Sequence, residues 1–303
     1  MLTGAVRRGL LARAMDATIA LVTARQARSL DEDLGPLTAA LGRLGVASEV
    51  VVWDDPAVEW LRFTRVIVRS TWDYAARRGA FLAWAGRIGG GRLFNRLPVL
   101  RWSTDKRYLV DLEAAGVAIV PTEWCMPGTR PRLPERTFVI KPSVGAGSVG
   151  ARRFAADEHA AAASHVAQLH AAGHLAMIQP YMPAVDTAGE TALLFFDGVY
   201  SHAIRKGALL RPDMQMVGGG LYAAETITPA IATDAQLELA RRALAAVPSR
   251  EPPLYARVDL VPDEDGSPRL LELELCEPSV FLDYGEGAAD RFAAAIVGSL
   301  SRA

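Results

Sequence analysis

The sequence predicts an α/β protein in which a small parallel sheet comes first and antiparallel strands follow. Half of the residues are hydrophobic, and strand-like and helix-like segments alternate along the first third of the chain. A strand–helix–strand–helix–strand order closes into a parallel sheet with right-handed crossovers. The three apolar runs behind this prediction are residues 17–22, 48–53 and 65–69.

Leucine spacing and a glycine mark the helix between the first two strands. Residues 30–44 carry leucines at helical spacing, and Gly45 follows them directly, as at a helix end. A further helix is predicted to run through Phe81 and Trp84, and residues 94–100 are predicted to be irregular.

Polar and aromatic side chains follow the third predicted strand directly. Ligands of open parallel sheets lie beyond the carboxyl ends of the strands, so this segment is a candidate wall of a substrate pocket. The alternative is that Thr71 or Asp73 caps the next helix, and both interpretations can hold together. The candidate substrate residues are Ser70, Thr71, Trp72, Asp73 and Tyr74.

Residues 102–109 predict the start of a helix, with Ser103 or Thr104 as its N-cap and Lys106 in its first turn. The helix dipole disfavours a cation at that end, so a lysine there suggests an anionic partner. A solvated surface lysine is the alternative. After this helix, residues 117–122 lead into a strand.

A glycine-rich loop follows the strand at residues 138–140, which ends at Lys141. Backbone N–H groups of such a loop can surround an anion, and the lysine adds a positive charge, so the segment suits a polyphosphate. It spells G-x-G-x-x-G, but residues 151–154 suggest a second strand where a dinucleotide fold needs a helix. A plain hairpin loop is the alternative. The loop residues concerned are Ser143, Gly145, Gly147, Ser148 and Gly150.

The second half of the chain predicts a change of architecture. A strand at 175–179 ends in a stiff connection with two prolines, whose unpaired backbone groups could bind an adenine ring. Strands at 191–196 and 199–205 flank Asp197-Gly198, which is a hairpin signal. Residues 211–222, which contain three consecutive glycines, are expected to form a mobile lid.

Carboxylates alternate along the last predicted strand pair, residues 254–261 and 269–276. Side chains two apart on a strand share a face, so Asp259, Glu272 and Glu274 converge if the two strands form one hairpin. Like charges on one face repel, and oxygen ligands near a nucleotide suggest that Mg²⁺ compensates them. The alternative is a solvated acidic face with the intervening leucines inside.

Composition excludes several classes of protein. The 303 residues include 33 basic and 34 acidic residues, so the net charge of −1 implies no general nucleic-acid-binding surface. Two cysteines far apart make no disulfide framework, which fits a reducing cytoplasm, and no apolar run reaches the length of a membrane span. Residues 1–16 are expected to be a disordered or over-annotated extension, with Met15 as an alternative start.

The chain resembles the ATP-grasp carboxylate–amine ligases of the glutathione synthetase type. The resemblance rests on features that occur in the family's order: Lys106, Lys141 before the glycine loop, residues 179–181, residues 189–190, and the acids Asp259, Glu272 and Glu274. The resemblance implies an ATP-grasp fold of two α+β subdomains, preceded by a small domain with a parallel sheet. We expect a disordered extension at 1–16, the preceding domain at 17–103, a central subdomain with the glycine-rich lid at 104–176, and a C-terminal subdomain with the metal site at 177–303.

The resemblance also implies roles for individual residues. Lys106 and Lys141 would hold the phosphates of ATP, and the glycine loop with Ser143, Gly145, Gly147 and Ser148 would close over them. Gln179 and the Tyr181 backbone would bind adenine, and Glu190 the ribose. Asp259, Glu272 and Glu274 would bind Mg²⁺, with Glu277 as the runner-up because many relatives have asparagine where Glu274 stands. Arg205 or Arg257 would meet the transferred phosphate or the substrate carboxylate.

The family's chemistry converts a carboxylate to an acyl phosphate, with release of ADP, for attack by a nitrogen. Within the family, residues 70–74 and 272–279 resemble a branch that includes the O-ureido-D-serine cyclo-ligases of D-cycloserine biosynthesis. An intermolecular amino-acid or peptide ligase and a non-catalytic nucleotide-binding regulatory module are the alternatives. The resemblance implies ATP and Mg²⁺ as cofactors and a small amino-acid-like substrate. The composition described above predicts a cytoplasmic protein without nucleic-acid or membrane partners, and a homodimer is left open.

Overall fold

The computed structural model describes residues 17–89, 91–207, 216–217, 222–223 and 226–302. The expected N-terminal extension and the three glycines of the expected lid lie outside these ranges. Three larger sheets and a two-stranded ribbon, Met216–Val217 with Tyr222–Ala223 (β11 and β12), make up the described strands. In the described part of the chain, no helix combines the length and the apolar character that a membrane crossing requires.

The first sheet is parallel throughout, with strand order β2-β1-β3-β4, which confirms the prediction. Its buried strands are rich in Val and Ile, as expected for a sheet covered on both faces. Helix α1, Leu34–Arg43, begins four residues later than predicted, because turns occupy the preceding residues. The strands are Thr18–Thr23 (β1), Ala47–Val52 (β2), Arg65–Ser70 (β3) and Leu93–Phe94 (β4).

Two predictions for the segment after this sheet are wrong. Residues 94–100 are not irregular, because helix α3 spans Leu97–Ser103 with Pro98 in its first turn, where a proline is tolerated. Lys106 is not in the first turn of a helix, because α4 begins later and spans Tyr108–Ala114. It lies in the turn between the two helices. Helix α2, Arg78–Ile88, precedes them as predicted.

The second sheet is antiparallel, with strand order β5-β8-β6-β7. Strands β6 and β7 bracket the glycine loop and pair with each other, so the second strand predicted after the loop is confirmed. Helix α5, His159–Ala171, covers the apolar side of this sheet. The strands are Glu123–Cys125 (β5), Phe138–Pro142 (β6), Arg152–Phe154 (β7) and Ala176–Pro180 (β8).

The third sheet is also antiparallel, with strand order β13-β10-β9-β14-β15. The predicted hairpins are present, and Arg257 pairs with Glu274 while Asp259 pairs with Glu272. The strands are Glu190–Phe196 (β9), Val199–Lys206 (β10), Ile227–Ala230 (β13), Tyr255–Pro262 (β14) and Pro268–Glu274 (β15). The helices around it are Val185–Ala188 (α6), Asp234–Ala245 (α7) and Ala288–Ser299 (α8).

The first and third sheets share one apolar core, to which α1 and α8 contribute Leu37, Leu41, Phe292 and Ile296. The domain boundary expected between residues 176 and 177 falls at the start of β8, which pairs with both β5 and β6 of the second sheet. We propose to place that boundary after Pro180, since a strand belongs with the sheet that satisfies its hydrogen bonds.

Candidate active site

Two cavities meet where the second and third sheets face each other. The small cavity, of about 180 Å³, is lined by residues of β6, β8, β9 and β14. The large cavity, of about 380 Å³, continues toward the first sheet and the loop after β15. Both touch a common set of residues, here called the shared wall: Gly145, Ala146, Gly147, Arg257, Glu272 and Glu274.

Two lysines reach the small cavity from different elements. The Nζ of Lys106 donates to the carbonyl oxygen of Gly145 at 2.7 Å and lies 3.0 Å from Glu272 Oε1. Lys141, on β6, makes no side-chain hydrogen bond or ion pair with the residues that the structure describes. Burial lowers the pKa of Lys141, and the charge of Glu272 partly opposes that shift. Lys141 is thus a half-buried cation available to an anionic ligand.

Lys206 and Arg257 neutralise the carboxylates on the floor of the small cavity. Lys206 Nζ lies 2.9 Å from Asp259 Oδ2 and also pairs with Glu190. Arg257 Nε lies 2.9 Å from Asp259 Oδ1, and its Nη2 pairs with Glu274. All these groups are on neighbouring strands of one sheet, so the strand register fixes their spacing.

The position of Arg205 differs from the expectation. Arg205 is exposed and lines neither cavity, whereas Lys206 is buried and lines the small one. Successive side chains of a strand point to opposite faces, so one of the two must face away. The cation that this strand brings to the small cavity is therefore Lys206, which the sequence reasoning missed because the predicted strand ended at residue 205.

The three carboxylates of the predicted metal set lie together but differ in protonation. Burial would raise the pKa of Asp259, but Arg257 and Lys206 lower it to about 2. Burial likewise opposes ionisation of Glu272, but Lys106 and Lys141 hold its pKa below the usual range. Burial raises the pKa of Glu274 to about 8, against the opposing charge of Arg257.

The carboxylates face lysine and arginine nitrogens, and among the described residues no group of three or more His, Cys, Asp or Glu stands ready to hold a metal. The donor chemistry nevertheless fits Mg²⁺, which prefers oxygen ligands and one or two carboxylates together with phosphates. Burial first, and then the negative charges of Glu272 and Asp259, raise the pKa of Glu274, and a divalent cation would favour its ionised form. Glu277, the runner-up ligand, lines the large cavity and not the small one.

The glycine loop forms one side of both cavities. Gly147, Ser148 and Gly150 have φ values of 59°, 63° and 76°, in the left-handed region that glycine adopts at little cost. A side chain on Gly145 would come within 3.2 Å of the Pro142 ring. Ser143 is buried and lines neither cavity; its carbonyl oxygen accepts from the Lys106 backbone N–H at 2.7 Å and so positions that lysine.

The predicted adenine and ribose residues, Gln179, Tyr181 and Glu190, all line the small cavity. The Gln179 side-chain amide donates to Thr122 Oγ1 at 2.9 Å, and the Tyr181 hydroxyl donates to Asp186 Oδ1 at 2.5 Å. Both side chains are thus held by protein groups.

The predicted substrate wall is only partly at a cavity. Trp72 and Tyr74 line the large cavity. Ser70, Thr71 and Asp73 do not: the Ser70 hydroxyl lies 2.8 Å from Thr23 Oγ1, and Asp73 accepts from Trp53 Nε1 at 2.9 Å. The helix-cap alternative finds no hydrogen bond: Asp73 precedes the short 3-10 helix Tyr74–Arg77, but its side chain makes no cap bond, and Thr71 Oγ1 has no hydrogen-bond partner among the described residues.

The loop after β15, which lines the large cavity, is held by the first domain. Asp33, just before α1, accepts from the backbone N–H groups of Val280 at 2.7 Å, Phe281 at 3.3 Å and Leu282 at 2.8 Å. Arg69 Nη2, from β3, donates to the carbonyl oxygen of Pro278 at 2.8 Å. The shape of the large cavity therefore depends on the N-terminal sheet.

Known proteins resemble this chain over nearly its whole length. The sequence profile of the N-terminal domain of D-cycloserine synthetase DcsG matches residues 19–95. The cycloserine biosynthesis protein DcsG of Streptomyces lavendulae is 42% identical over 296 residues, which cover 92% of this chain and 97% of that protein. The chain belongs to the D-cycloserine synthetase (DcsG) family.

Solved structures agree with the membership of this chain in the DcsG family. The crystal structure of D-cycloserine synthetase DcsG matches with a TM-score of 0.86 and 40% identity, covering 94% of this chain and all of that one. D-alanine–D-alanine ligase from Bacillus anthracis matches at 0.67 and 13% identity, covering 95% and 98%. The ATP-grasp ligase PsnB, complexed with minimal precursor phosphomimetic variant, Mg and ADP, matches at 0.61 and 17% identity, covering 94% and 99%. The expected ATP-grasp fold is confirmed, and the chain is an ATP-grasp ligase.

Sequence reasoning missed three polar residues of this DcsG-family site: Lys206, Asp33 and Arg69. Lys206 could have been predicted, because extending the predicted strand by one residue places its side chain on the face opposite to that of Arg205. No local pattern marks Asp33 or Arg69, because each meets a partner more than 200 residues away, as the 247-residue separation of Asp33 and Val280 illustrates.

Proposed function

We propose that this enzyme closes the ring of D-cycloserine by ATP-dependent C–N bond formation within one molecule of O-ureido-D-serine. The observation that carries this proposal is the shared wall, where the small cavity and the large cavity meet at Arg257, Glu272 and Glu274. A phosphate donor in one cavity and a carboxylate acceptor in the other would meet there. The substrate is inferred from the likeness to D-cycloserine synthetase.

In this proposal ATP occupies the small cavity. Lys106 and Lys141 hold the phosphates, and the backbone of the loop at Gly145, Gly147 and Ser148 closes over them. The adenine lies beside Gln179 and Tyr181, and the ribose beside Glu190. Support comes from the lining of the small cavity, which includes every one of these residues. Solved relatives carry ATP or ADP with Mg in the same fold.

Mg²⁺ would be held by Asp259, Glu272 and Glu274, and would neutralise charge on the transferred phosphate. Without nucleotide, Lys106 pairs with Glu272 and Arg257 pairs with Glu274. Both basic side chains are expected to shift toward the phosphate when nucleotide binds. Arg257, at the shared wall, would then face the substrate carboxylate and the transferred phosphate. Lys206 would remain as the fixed cation beneath Asp259.

The chemical steps follow from the substrate. A carboxylate oxygen attacks the γ-phosphorus of ATP, and ADP leaves, which gives an acyl phosphate. The ureido nitrogen that is bonded to oxygen then attacks the acyl carbon, loses its proton and expels phosphate, which closes a five-membered ring. Water then attacks the carbonyl carbon of the carbamoyl group that remains on the ring nitrogen; the N–C bond breaks, the ring nitrogen takes up a proton, and carbamate leaves and decomposes to CO₂ and ammonia. Because the attacking nitrogen is part of the same molecule, its effective concentration is high and no second substrate pocket is needed.

Steady-state assays of ADP release test this proposal. Purified enzyme is incubated with ATP, Mg²⁺ and a panel of amino acids that includes O-ureido-D-serine, with mass spectrometry of the products. We expect ADP and D-cycloserine from O-ureido-D-serine, and loss of both after chelation of Mg²⁺ or in Glu272→Gln. Release of AMP would contradict the acyl-phosphate route. ADP release that requires a second amino acid would instead identify an intermolecular ligase.

The composition and the family likeness also support a cytoplasmic enzyme that acts on a small amino-acid-like molecule, without nucleic-acid or membrane partners. The homodimer and the cytoplasmic location stay predictions, which gel filtration with light scattering and cell fractionation would test.

A further inference from the structure

The large cavity carries a buried carboxyl group that none of the steps above uses. Glu277 follows the end of β15 and is 7% exposed. It lines the large cavity, and its Oε2 is buried without a hydrogen-bond partner among the described residues. The neighbouring Cys276 thiol is a weak donor to this carboxyl. Burial of an unpaired carboxylate oxygen is costly, so its presence suggests that a ligand supplies the missing donor.

The other carboxyl groups that line this cavity and are buried or partly buried already have strong partners. Glu272 lies 3.0 Å from Lys106 Nζ, and Glu274 pairs with Arg257. Asp33 accepts three backbone N–H groups. The two remaining carboxyl groups of the lining, Glu32 and Asp283, are less enclosed than Glu277. Among the described residues, Glu277 is therefore the buried acid of this cavity that has no cationic partner.

Aromatic groups line the same cavity as this carboxyl group. Trp72 Nε1 donates to the backbone carbonyl oxygen of Glu277 at 3.2 Å, which fixes the indole against the same segment. Tyr74 is buried and lines the same cavity. Phe281 and Tyr284, which are partly buried, line it as well. A cavity lined by an unpaired acid and by aromatic rings favours a compact organic cation, because the carboxylate and the ring faces both attract positive charge.

The position of Glu277 also fits the geometry of an α-amino acid. It lies three residues beyond Glu274, which belongs to the shared wall where the reacting carboxylate would sit. In an α-amino acid the ammonium group is separated from the carboxylate by a single carbon. An acid close to the shared wall, and on the side away from the small cavity, is thus in the right region for that ammonium group.

We propose that Glu277 binds the α-ammonium group of the substrate, with Trp72 and Tyr74 beside it, and so selects an α-amino acid over a simple carboxylic acid. This inference rests on the proposed function, since it places the substrate carboxylate at the shared wall. It assigns Glu277 to substrate selection and not to the metal.

The test compares O-ureido-D-serine with its deamino analogue, 3-(ureidooxy)propanoate. In the wild type we expect kcat/KM to be higher for the amino acid by about 30-fold to 5,000-fold, the range for losing one partner of a buried charged pair. Glu277→Gln should raise KM for O-ureido-D-serine and so bring the ratio of the two kcat/KM values close to one. Its kcat/KM for the analogue should stay within about threefold of the wild-type value. Glu277→Asp, which keeps the charge, should retain part of the ratio.

Two further measurements separate the alternatives. Affinity for ATP and the thermal unfolding midpoint should match those of the wild type in Glu277→Gln, which shows that the variant is folded. An equal fall of kcat/KM for both substrates would overturn the inference, because a metal ligand or a structural residue acts on both. Collapse of the ratio in Glu32→Gln or Asp283→Asn instead would also overturn it. Absence of ADP release by the wild type with every panel member would overturn the proposed function itself, and with it this inference.

Discussion

Lys206 is a buried cation placed between two acids, and the stability of the site depends on it. Its Nζ pairs with Glu190 and with Asp259. Replacing it in Lys206→Met leaves these carboxylates short of positive charge in a buried environment. We expect the free energy of unfolding to fall by about 3 to 5 kcal/mol, the usual cost of removing one partner of a buried ion pair. Urea denaturation followed by circular dichroism measures the change.

The neighbouring residue is the matched control for this lysine. Arg205 lies on the exposed face of the same strand, so Arg205→Met should change the free energy of unfolding by no more than about 0.5 kcal/mol. The double variant Lys206→Met/Glu190→Gln should recover part of the loss, because it removes one unpaired charge. Equal unfolding midpoints for Lys206→Met and Arg205→Met would show that the pairing contributes nothing.

His202 should make stability depend on pH near neutrality. Its Nε2 faces the carbonyl oxygens of Val280 and Phe281 at 3.0 and 3.1 Å, so this nitrogen carries the proton in the neutral ring. Burial lowers the pKa of His202 below its usual 6.5; Arg291 adds to this shift, whereas the two carbonyls and Asp33 oppose it. The unfolded chain therefore takes up a proton first as pH falls, and stability is lost from about pH 6.5 down to the folded pKa.

Urea denaturation from about pH 8 to about pH 5 tests this dependence. The free energy of unfolding of the wild type should decline through that range more steeply than that of His202→Gln, which keeps a donor but has no titrating ring. Parallel profiles for the two proteins would contradict the assignment.

At the scale of single residues, the sequence predicted the acids of the site better than its cations. The spacing of Asp259, Glu272 and Glu274 sufficed, because a hairpin brings alternate residues of its strands onto one face. The placement predicted for Arg205 differs from the structure, because the face on which a strand residue lies depends on the irregularities of the strand. Strand β10 has a register shift near Tyr200. A short segment of sequence does not reveal such a shift.

At the scale of elements, the hairpin of β9 and β10 depends on a close backbone approach at Gly189. This residue has φ +71°, and a Cβ there would lie 2.5 Å from the carbonyl oxygen of Lys206 and 2.9 Å from Arg205 Cγ. Gly189→Ala should therefore force the start of β9 away from β10 and destabilise the protein. Thermal unfolding would show a lower midpoint, and ATP affinity should fall because Glu190 and Lys206 move.

Gly116→Ala is the control that separates the steric clash expected in Gly189→Ala from the backbone strain that both variants share. Gly116 has φ +81°, but a Cβ at this residue would have nothing within 4 Å of it, so the substitution meets strain alone, about 1 to 2 kcal/mol. Gly189→Ala should cost at least about 1 kcal/mol more, since a packed neighbour must also shift. Equal losses in the two variants would mean that the hairpin accommodates the extra atom.

The elements themselves were largely predictable where hydrophobic periodicity was strong. The parallel sheet, the strand pair around the glycine loop and the last hairpin all follow from local patterns. The two errors of element assignment lie at residues 94–114, where α3 and α4 are both seven residues long. So short a helix has little periodicity of its own and is stabilised by tertiary packing, which the local sequence does not encode.

At the scale of the whole molecule, Asp33 joins the first domain to the loop that encloses the large cavity. It is 5% exposed and accepts three backbone N–H groups from Val280, Phe281 and Leu282. Asp33→Ala would leave these donors unpaired. We expect a loss of about 2 to 5 kcal/mol in unfolding free energy, from desolvated groups at about 1 to 3 kcal/mol each with partial relaxation. The KM for the carboxylate substrate should rise more than that for ATP.

Asp290 gives the matched control, because it connects the same two parts of the molecule at the surface. Its carboxylate lies 2.6 Å from Arg43 Nη2, and both side chains are more than half exposed, at 63% and 57%. An exposed ion pair contributes little, so Asp290→Ala should cost less than about 1 kcal/mol and leave both KM values unchanged. A loss as large as that of Asp33→Ala would contradict the importance of burial.

The bond between Asp33 and the loop after β15 has a consequence for synthesis on the ribosome. Residues 280–282 are translated 247 to 249 residues after Asp33. At ordinary elongation rates this is a delay of roughly 12 to 50 seconds. During that time the nascent N-terminal sheet carries a carboxylate and a guanidinium, Asp33 and Arg69, whose backbone partners do not yet exist. The first domain is therefore synthesised early, but the buried side chains of Asp33 and Arg69 gain their hydrogen-bond partners only after the last strands have been synthesised.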